Sequence, residues 1–127
     1  MGGGKCKRKE VEIEQDGDYV LFGLYNSRGK LCASAEVIRR EVEAKNVEIE
    51  DFMISYGIGR WKRGSRLIKA IVGWAEKEGV ASLTGDFGSP LGRKSKARRF
   101  FEKHGFEVGE DNTIRRNIES GFKKETL

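Results

Sequence analysis

The sequence predicts an α/β domain with a mixed sheet, in which antiparallel strands come first and a β-α-β unit follows. A change of hydrophobic period carries this prediction. Apolar residues recur at every second position over much of residues 11–58, as in half-buried strands, and then at helical spacing from Leu67 to Ala75. A short apolar segment, residues 80–86, follows that helix. Such a crossover is right-handed and leaves its two strands parallel.

The first three strands are bounded by turn signals. Residues 11–14 alternate as far as the turn at Asp16-Gly17, and residues 19–25 are rich in aromatic and aliphatic side chains. Residues 31–38 follow a second turn as a hairpin partner. A fourth strand is predicted over residues 47–58.

The alternation of this fourth strand breaks at Asp51-Phe52. One extra residue there, a β-bulge, restores the face of the later side chains. We therefore expect a bulge at this point of the strand.

Glycines end both predicted helices. Gly79 stands where the C-terminal cap of the first helix belongs, and Gly105 closes a second helix over residues 93–104. The residues that the second helix is expected to bury are Ala97, Phe100 and Phe101. A C-terminal hairpin of residues 106–108 and 113–118 completes the sheet.

Composition limits the classes of protein. A length of 127 residues fits one domain. We assign residues 11–127 to it and expect residues 1–10, with three glycines and no apolar period, to form a flexible basic tail. No apolar run approaches the roughly 18 residues that span a bilayer, which predicts a cytoplasmic protein without a membrane partner. Two cysteines and one histidine are too few for a usual zinc site, so we expect no metal.

Positive charge is concentrated in two segments. The balance of 25 Lys and Arg against 20 Asp and Glu gives a net charge of +5, which favours anionic partners. Residues 60–66 open the first helix, whose N-terminal N–H groups and dipole suit a phosphate, and residues 93–99 open the second. Both follow strands of the parallel pair, so we expect them to rim one mouth at the carboxyl ends of those strands. A solvated basic surface is the alternative for each.

The string Ala97-Arg98-Arg99-Phe100-Phe101-Glu102-Lys103-His104-Gly105-Phe106 resembles a family motif. It is similar to the A-x-x-F-Y-E-K-x-G-F signature of the GNAT superfamily, the Gcn5-related N-acetyltransferases, with Phe101 in the place of the tyrosine. The family's acetyl-CoA loop, Q/R-x-x-G-x-G/A, falls without gaps on residues 59–64, where Gly64 is kept and Lys62 replaces the first glycine. The resemblance covers about residues 19–118. The family's helices between the first two strands have no room at the Asp16-Gly17 turn, so the chain resembles a short member.

The resemblance implies that acetyl-CoA is the co-substrate. In the family, a strand segment matching residues 52–54 pairs with the pantetheine arm, and a backbone N–H, here near Ile54, polarises the thioester carbonyl. The residues expected to bind acetyl-CoA are Met53, Ile54, Ser55, Arg60, Trp61, Lys62, Arg63, Gly64, Ser65, Lys94, Ala97, Phe100, Phe101 and Lys103.

Carboxylates on the fourth strand are the candidates for the general base. The acceptor amine must lose a proton to attack. Glu48 matches the position of the glutamate that histone-acetylating members use. Glu50 and Asp51 are alternative candidates, because the predicted bulge leaves open which face of the strand each of them lies on. Phe101 cannot replace the family's tyrosine as an acid. Tyr56, the serine before it, or water are the alternative acids for the leaving thiolate, or the thiolate leaves unaided.

A second hypothesis is a non-catalytic module of the same fold. The altered loop, the missing tyrosine and the basic charge favour nucleic acid bound through residues 60–66 and 93–99, or a protein partner. We favour the enzyme, because the loop substitutions keep positive charge where a pyrophosphate would lie. The acceptor amine and the oligomeric state are left open by the sequence.

Overall fold

The computed structural model describes residues 11–39, 45–55, 59–86, 96–110 and 113–118. Its strands are β1 Glu12–Asp16, β2 Tyr19–Tyr25, β3 Leu31–Ile38, β4 Asn46–Ile54, β5 Ser82–Asp86, β6 Glu107–Val108 and β7 Thr113–Asn117. Its helices are α1 Arg60–Lys77 and α2 Lys96–Lys103. In the described part of the chain, no helix is both long enough and apolar enough to cross a membrane.

The strands form one mixed sheet in the order β1-β2-β3-β4-β5-β7-β6. β4 and β5 are parallel, and the other neighbours are antiparallel. This confirms the predicted fold class, with a β-α-β unit set into an otherwise antiparallel sheet. β1 returns directly into β2, since Asp16 pairs with Tyr19 across a two-residue turn.

The predicted bulge in β4 is present. Ser34 of β3 pairs with Met53, whereas Glu36 pairs with Glu50, so β4 has one residue more than β3 between these pairs. Asp51 takes a φ of 50° there. The extra residue turns Phe52 and Ile54 inward and leaves Met53 64% exposed. A single inserted residue therefore keeps both halves of β4 packed on the same core.

The core lies between the sheet and α1. Alternate residues of β2, β3 and β4 are buried, and they meet one stripe of the helix. The stripe consists of Leu67, Ile68, Ile71, Val72 and Ala75. Phe100 and Phe101 of α2 join the same core, as predicted, and Ala97 is only half-buried. One face of the sheet is thus covered by helices.

Both helices end in the same glycine motif. Gly79 and Gly105 have φ of 73° and 88°, in the left-handed region that glycine adopts at low cost. The N–H of Val80 donates to Ala75 O at 3.0 Å, and the N–H of Phe106 donates to Phe101 O at 3.0 Å. These hydrogen bonds close each helix and direct the chain back into the sheet.

The predicted boundaries of β4 and β5 were wrong. β4 ends at Ile54, before Ser55, and the predicted continuation over residues 56–58 lies outside the described residues. β5 begins at Ser82 because the N–H groups of Ala81 and Ser82 both donate to Lys45 O, a loop carbonyl, at 2.6 and 3.0 Å. α2 is described from Lys96, and residues 93–95 are outside the described range.

Candidate functional site

The two parallel strands separate near the middle of β4. Their pairing runs from Asn46 with Ser82 to Ile49 with Gly85, while β4 continues to Ile54 beside β3 and β5 continues beside β7. A cleft of about 700 Å³ lies where they part. We call it the strand cleft. Its walls are Glu48, Ile49, Glu50, Asp51, Thr84, Gly85, Asp86, Thr113, Ile114 and Arg115.

Backbone amides of β4 face the side from which β5 has moved away. The Ser55 N–H donates to Cys32 O at 2.9 Å, so Ser55 is in hydrogen-bonding register with β3. Because N–H groups alternate in direction along an antiparallel strand, the N–H of Ile54 points away from β3. Ile54 lies beyond the last described pair of β4 with β5. Its amide is therefore directed into the gap between the strands.

Three carboxylates stand on the β4 wall of the strand cleft. Glu48 is paired with Thr84 at the last position but one before the strands part, and Glu50 lies just after the parting. Both are exposed on the face opposite the helices. Oxygen atoms of Glu36, Glu50 and Asp51 lie within 4.8 Å of one another. The cleft therefore combines proton acceptors with a negative field on its β4 side.

A second concavity of about 270 Å³ lies on the helix side, between the start of α1 and α2. We call it the basic pocket. It is lined by Trp61, Lys62, Ser65, Lys96, Arg99, Phe100 and Lys103. Described residues of both basic segments thus line one pocket between the helices, and residues 93–95 of the second segment lie outside the described residues. Its cations surround apolar rings, an arrangement that suits a ligand with phosphate groups and an organic body.

The first turn of α1 suits an anion. Gly59 is its N-cap with a φ of 82°, no side chain caps the helix, and the first turn holds no acidic residue. The guanidinium of Arg60 lies 4.9 Å from the centre of the Trp61 ring. Arg63 turns back instead, and its Nη2 donates to Ser55 O at 2.9 Å. Arg63 therefore ties the helix start to the end of β4, beside the gap.

Two residues expected to bind acetyl-CoA pack inside the domain. A Cβ on Gly64 would lie 2.6 Å from Ile54 Cδ1 and 3.1 Å from Phe100 Cζ, so this glycine lets α1 approach β4 and α2 closely. Phe101 is 3% exposed, with its ring 5.4 Å from Phe52 and 5.7 Å from Phe106. Neither residue lines the strand cleft or the basic pocket.

His104 lies at the end of α2, next to the basic pocket. Its Nε2 is 2.8 Å from Ser65 Oγ. Burial lowers the pKa of His104 below its ordinary 6.5, and the positive charges of Lys69, Lys103 and Arg116 lower it further. The imidazole is therefore neutral near pH 7, and the hydrogen bond joins the two helices.

The structure brings the predicted residues together at two linked places. Glu48 and Glu50 line the strand cleft, and five of the residues expected to bind acetyl-CoA line the basic pocket; the five are Trp61, Lys62, Ser65, Phe100 and Lys103. Tyr56 and Lys94 lie outside the described residues. Met53 faces the sheet side opposite the helices, away from the basic pocket.

Sequence reasoning missed the far wall of the strand cleft and the acidic character of its surroundings. Thr84, Asp86, Thr113 and Arg115 come from strands whose register the sequence does not give. One signal was available. The string Val-Glu-Ile-Glu occurs at residues 11–14 and again at 47–50, and each copy alternates glutamates with apolar residues.

Comparison with known proteins places the fold. The sequence matches no family model and no curated protein. A GNAT-family acetyltransferase from Staphylococcus aureus Mu50 matches with a TM-score of 0.66 and 11% identity, over 81% of this chain and 70% of that one. The ribosomal-protein-S18-alanine N-acetyltransferase of Escherichia coli matches with a TM-score of 0.66 and 20% identity, over 89% and 76%. The PaiA N-acetyltransferase of Thermoplasma acidophilum, in complex with coenzyme A, matches with a TM-score of 0.62 and 18% identity, over 80% and 62%.

These identities are low, so the likeness is one of fold. It agrees with the string at residues 97–106 and with the parting of β4 from β5. This chain has the fold of the Gcn5-related N-acetyltransferases, built here as a short α/β domain.

Proposed function

We propose that this protein is an N-acetyltransferase that transfers the acetyl group of acetyl-CoA directly to an amine. The observation that carries the proposal is the parting of β4 from β5 after Ile49 and Gly85, which turns an interior strand edge into an open binding edge. A domain that only bound nucleic acid through its basic segments would have no use for this gap. The similar structures named above are acetyltransferases, and one of them is in complex with coenzyme A.

Acetyl-CoA enters from the helix side. Its pyrophosphate lies at the N-terminus of α1, where main-chain N–H groups and the helix dipole meet Lys62 and Arg99 of the basic pocket. Its pantetheine arm follows the open edge of β4. Lys62 replaces a glycine of the family's loop, so a side-chain cation takes over part of the role of main-chain donors. The thioester then reaches the strand cleft beside the Ile54 amide.

The reaction is a direct displacement. The nitrogen of the neutral amine attacks the thioester carbonyl carbon, the N–C bond forms, and the C–S bond breaks to release the thiolate of CoA. The Ile54 N–H stabilises the negative charge that develops on the carbonyl oxygen. Glu48 or Glu50 accepts the proton that the amine loses, directly or through water. That proton is finally passed to the thiolate or to solvent, since Phe101 offers no acid.

Binding of acetyl-CoA is the first test. We expect acetyl-CoA at saturating concentration to raise Tm by several degrees in a thermal-shift assay, because a ligand of the folded state stabilises it by mass action. The double variant Lys62→Ala/Arg99→Ala should lose most of this shift. Lys77→Ala, an exposed cation in the last turn of the same helix, is the matched control and should keep it. Absence of any shift in the wild-type protein would refute the proposal.

The second candidate function, nucleic-acid binding, rests on the same two basic segments. Retention of the protein on duplex DNA or RNA with a steep dependence on salt would support it. Acetyl-CoA should displace the nucleic acid if the two share the basic pocket. Binding of nucleic acid together with no response to acetyl-CoA would favour the non-catalytic module.

A further inference from the structure

The face of the sheet opposite the helices is open among the described residues. β1 and β2 are joined by a two-residue turn, so the chain places no helix between them to cover this side. Strand alternation and register assign each side chain to one face. We call this surface the open face. It runs from β1 at one edge of the sheet to β6 at the other and contains the mouth of the strand cleft.

The open face is strongly acidic, although the protein as a whole is basic. Among the described residues the strand register places eight carboxylates on it, and Asp51 of the bulge, which lines both cavities of this face, is the ninth; the one cation is Arg115. The carboxylates are Glu12, Glu14, Asp16, Glu36, Glu48, Glu50, Asp51, Asp86 and Glu107. With the exception of the half-buried Glu36, they are exposed. The positive net charge therefore resides elsewhere, and this surface attracts cations.

A groove crosses the antiparallel part of the open face. It has a volume of about 600 Å³, and its lining runs from β1 to β4. Carboxylates alternate in it with apolar side chains, of which Leu31 is 46% and Met53 is 64% exposed. Asp51 belongs both to this groove and to the strand cleft. The groove is thus continuous with the place where we put the reaction.

We propose that the open face docks an extended, lysine-rich polypeptide segment, which is the acceptor and delivers an amine into the strand cleft. This inference rests on the proposed function for the transfer step, while the docking itself does not depend on it. Side-chain cations of the segment meet the carboxylates of β1, β3 and β4. Its alkyl stems lie on Leu31 and Met53.

Two arguments select this occupant. From β1 to β5 the face spans four strand spacings, about 19 Å, which is the length of about six residues of extended chain and more than one amine requires. A second copy docking through the same face would bring like-charged carboxylates together at short range. Nucleic acid is excluded from this surface for the same reason. A cationic polypeptide matches both the length and the charge.

Fluorescence anisotropy tests the docking. The probe is a labelled, N-terminally blocked peptide of about eight residues in which Lys and Ala alternate, measured at about 0.1 M ionic strength. A second peptide with Arg in place of Lys cannot be acetylated and reports docking alone. We expect both to bind the wild-type protein and to be released by salt. The double variant Glu12→Gln/Glu14→Gln, on β1 and away from the reacting groups, should weaken binding about three- to tenfold.

The control is Glu76→Lys on the exposed side of α1. It changes the net charge by +2, the same amount as the double variant, but on the helix side. It should leave peptide affinity within about twofold of wild type, since a charge beyond the Debye length of about 10 Å is largely screened. Circular dichroism and Tm verify that each variant is folded.

The outcomes separate the docking from the proposed function. Failure of both peptides to bind would overturn the inference, and an unchanged acetyl-CoA shift would leave the proposed function standing. Peptide binding with no thermal shift from acetyl-CoA would support the docking and refute the proposed acetyltransferase activity. An equal loss of peptide affinity in Glu76→Lys and in the double variant would show that only net charge matters. That result would overturn the assignment of docking to the open face. Equally tight competition by free spermidine would overturn the polypeptide as occupant.

Discussion

The helix side and the open face of this domain carry opposite charge. The cations of α1 and α2 surround the basic pocket, where the described lining contains no carboxylate. The open face presents nine carboxylates and Arg115 among its described strand residues. The net charge of +5 describes neither side. The expectation of anionic partners, which was drawn from the net charge, therefore applies only to the helix side.

The difference shows how one small domain can hold two reactants of opposite charge. In our proposal a polyanionic thioester approaches from the helix side and a cationic amine from the open face. In the same proposal the two reactants meet at the strand cleft, where β4 and β5 have parted. Variants that affect one side only should therefore separate the binding of the two substrates.

Among the variants considered, deletion of Asp51 should have the largest effect on the stability of the domain. Without the bulge, Phe52 and Ile54 move to the open face and lose their packing against the core. We expect a loss of about 3–5 kcal/mol in the free energy of unfolding, by analogy with truncation of buried apolar side chains. Urea denaturation measures it.

The control for this deletion is Asp51→Gly. It keeps the extra residue, and glycine suits the φ of 50°. It should change the free energy of unfolding by no more than about 1 kcal/mol. Similar midpoints for the deletion and the control would show that the bulge does not set the facing of β4.

Glu48→Gln and Glu50→Gln separate catalysis from acetyl-CoA binding. The variant that removes the general base should lower kcat by about 10²–10⁴-fold, measured by release of free CoA thiol with a lysine peptide as acceptor. The acetyl-CoA thermal shift should remain, since both residues lie on the open-face side. Glu76→Gln, which removes an exposed carboxylate on the helix side, is the matched control. Wild-type kcat in both variants would exclude Glu48 and Glu50 as the general base.

Gly64→Ala and Gly73→Ala compare two glycines of the same helix. A methyl at Gly64 meets Ile54 and the Phe100 ring, whereas one at Gly73 meets nothing within 4 Å. Overpacking should make Gly64→Ala about 1–3 kcal/mol less stable than Gly73→Ala. Alanine at Gly73 should instead stabilise α1 by about 0.5–1 kcal/mol. Thermal and urea unfolding of the two variants give the difference, and equal stabilities would contradict the close packing of α1 on β4.

His104 should make a smaller contribution, which is visible in the pH dependence of stability. Its folded pKa is lowered, so below pH 6.5 the unfolded chain binds a proton that the folded protein does not. The stability that this histidine provides is present above pH 6.5 and declines as the pH falls through its folded pKa. His104→Gln should flatten the curve of Tm against pH in this window. An unchanged curve would show that the environment of His104 does not oppose its charge.

Much of the fold was predictable because its signals are local. Alternation placed β1 to β4, helical spacing placed α1, and Gly79 and Gly105 marked both helix ends. The break at Asp51-Phe52 sufficed to predict a bulge, since only an extra residue keeps the later apolar side chains in the core. Element ends were less predictable, because the start of β5 depends on a bond to Lys45 O from a distant loop.

The candidate site was predictable only in part. The basic segments and Glu48 follow from position along the chain, and the string at residues 97–106 supplied the fold family. The far wall of the strand cleft comes from β7, whose pairing with β5 is a matter of register across the sheet. The concentration of carboxylates on one face likewise needs the relative phase of all strands. Phe101 was assigned to the ligand by motif, and its burial depends on its aromatic neighbours.

β1 forms one edge of the sheet, and all five of its residues are exposed. An edge strand offers main-chain groups to any other strand that comes near, which is a common start of aggregation. Here a second β1 laid antiparallel to the first would set Glu12, Glu14 and Asp16 against the same carboxylates, and like charges directly opposite one another destabilise the pair. The acidic edge thus protects the sheet from growing into a fibre.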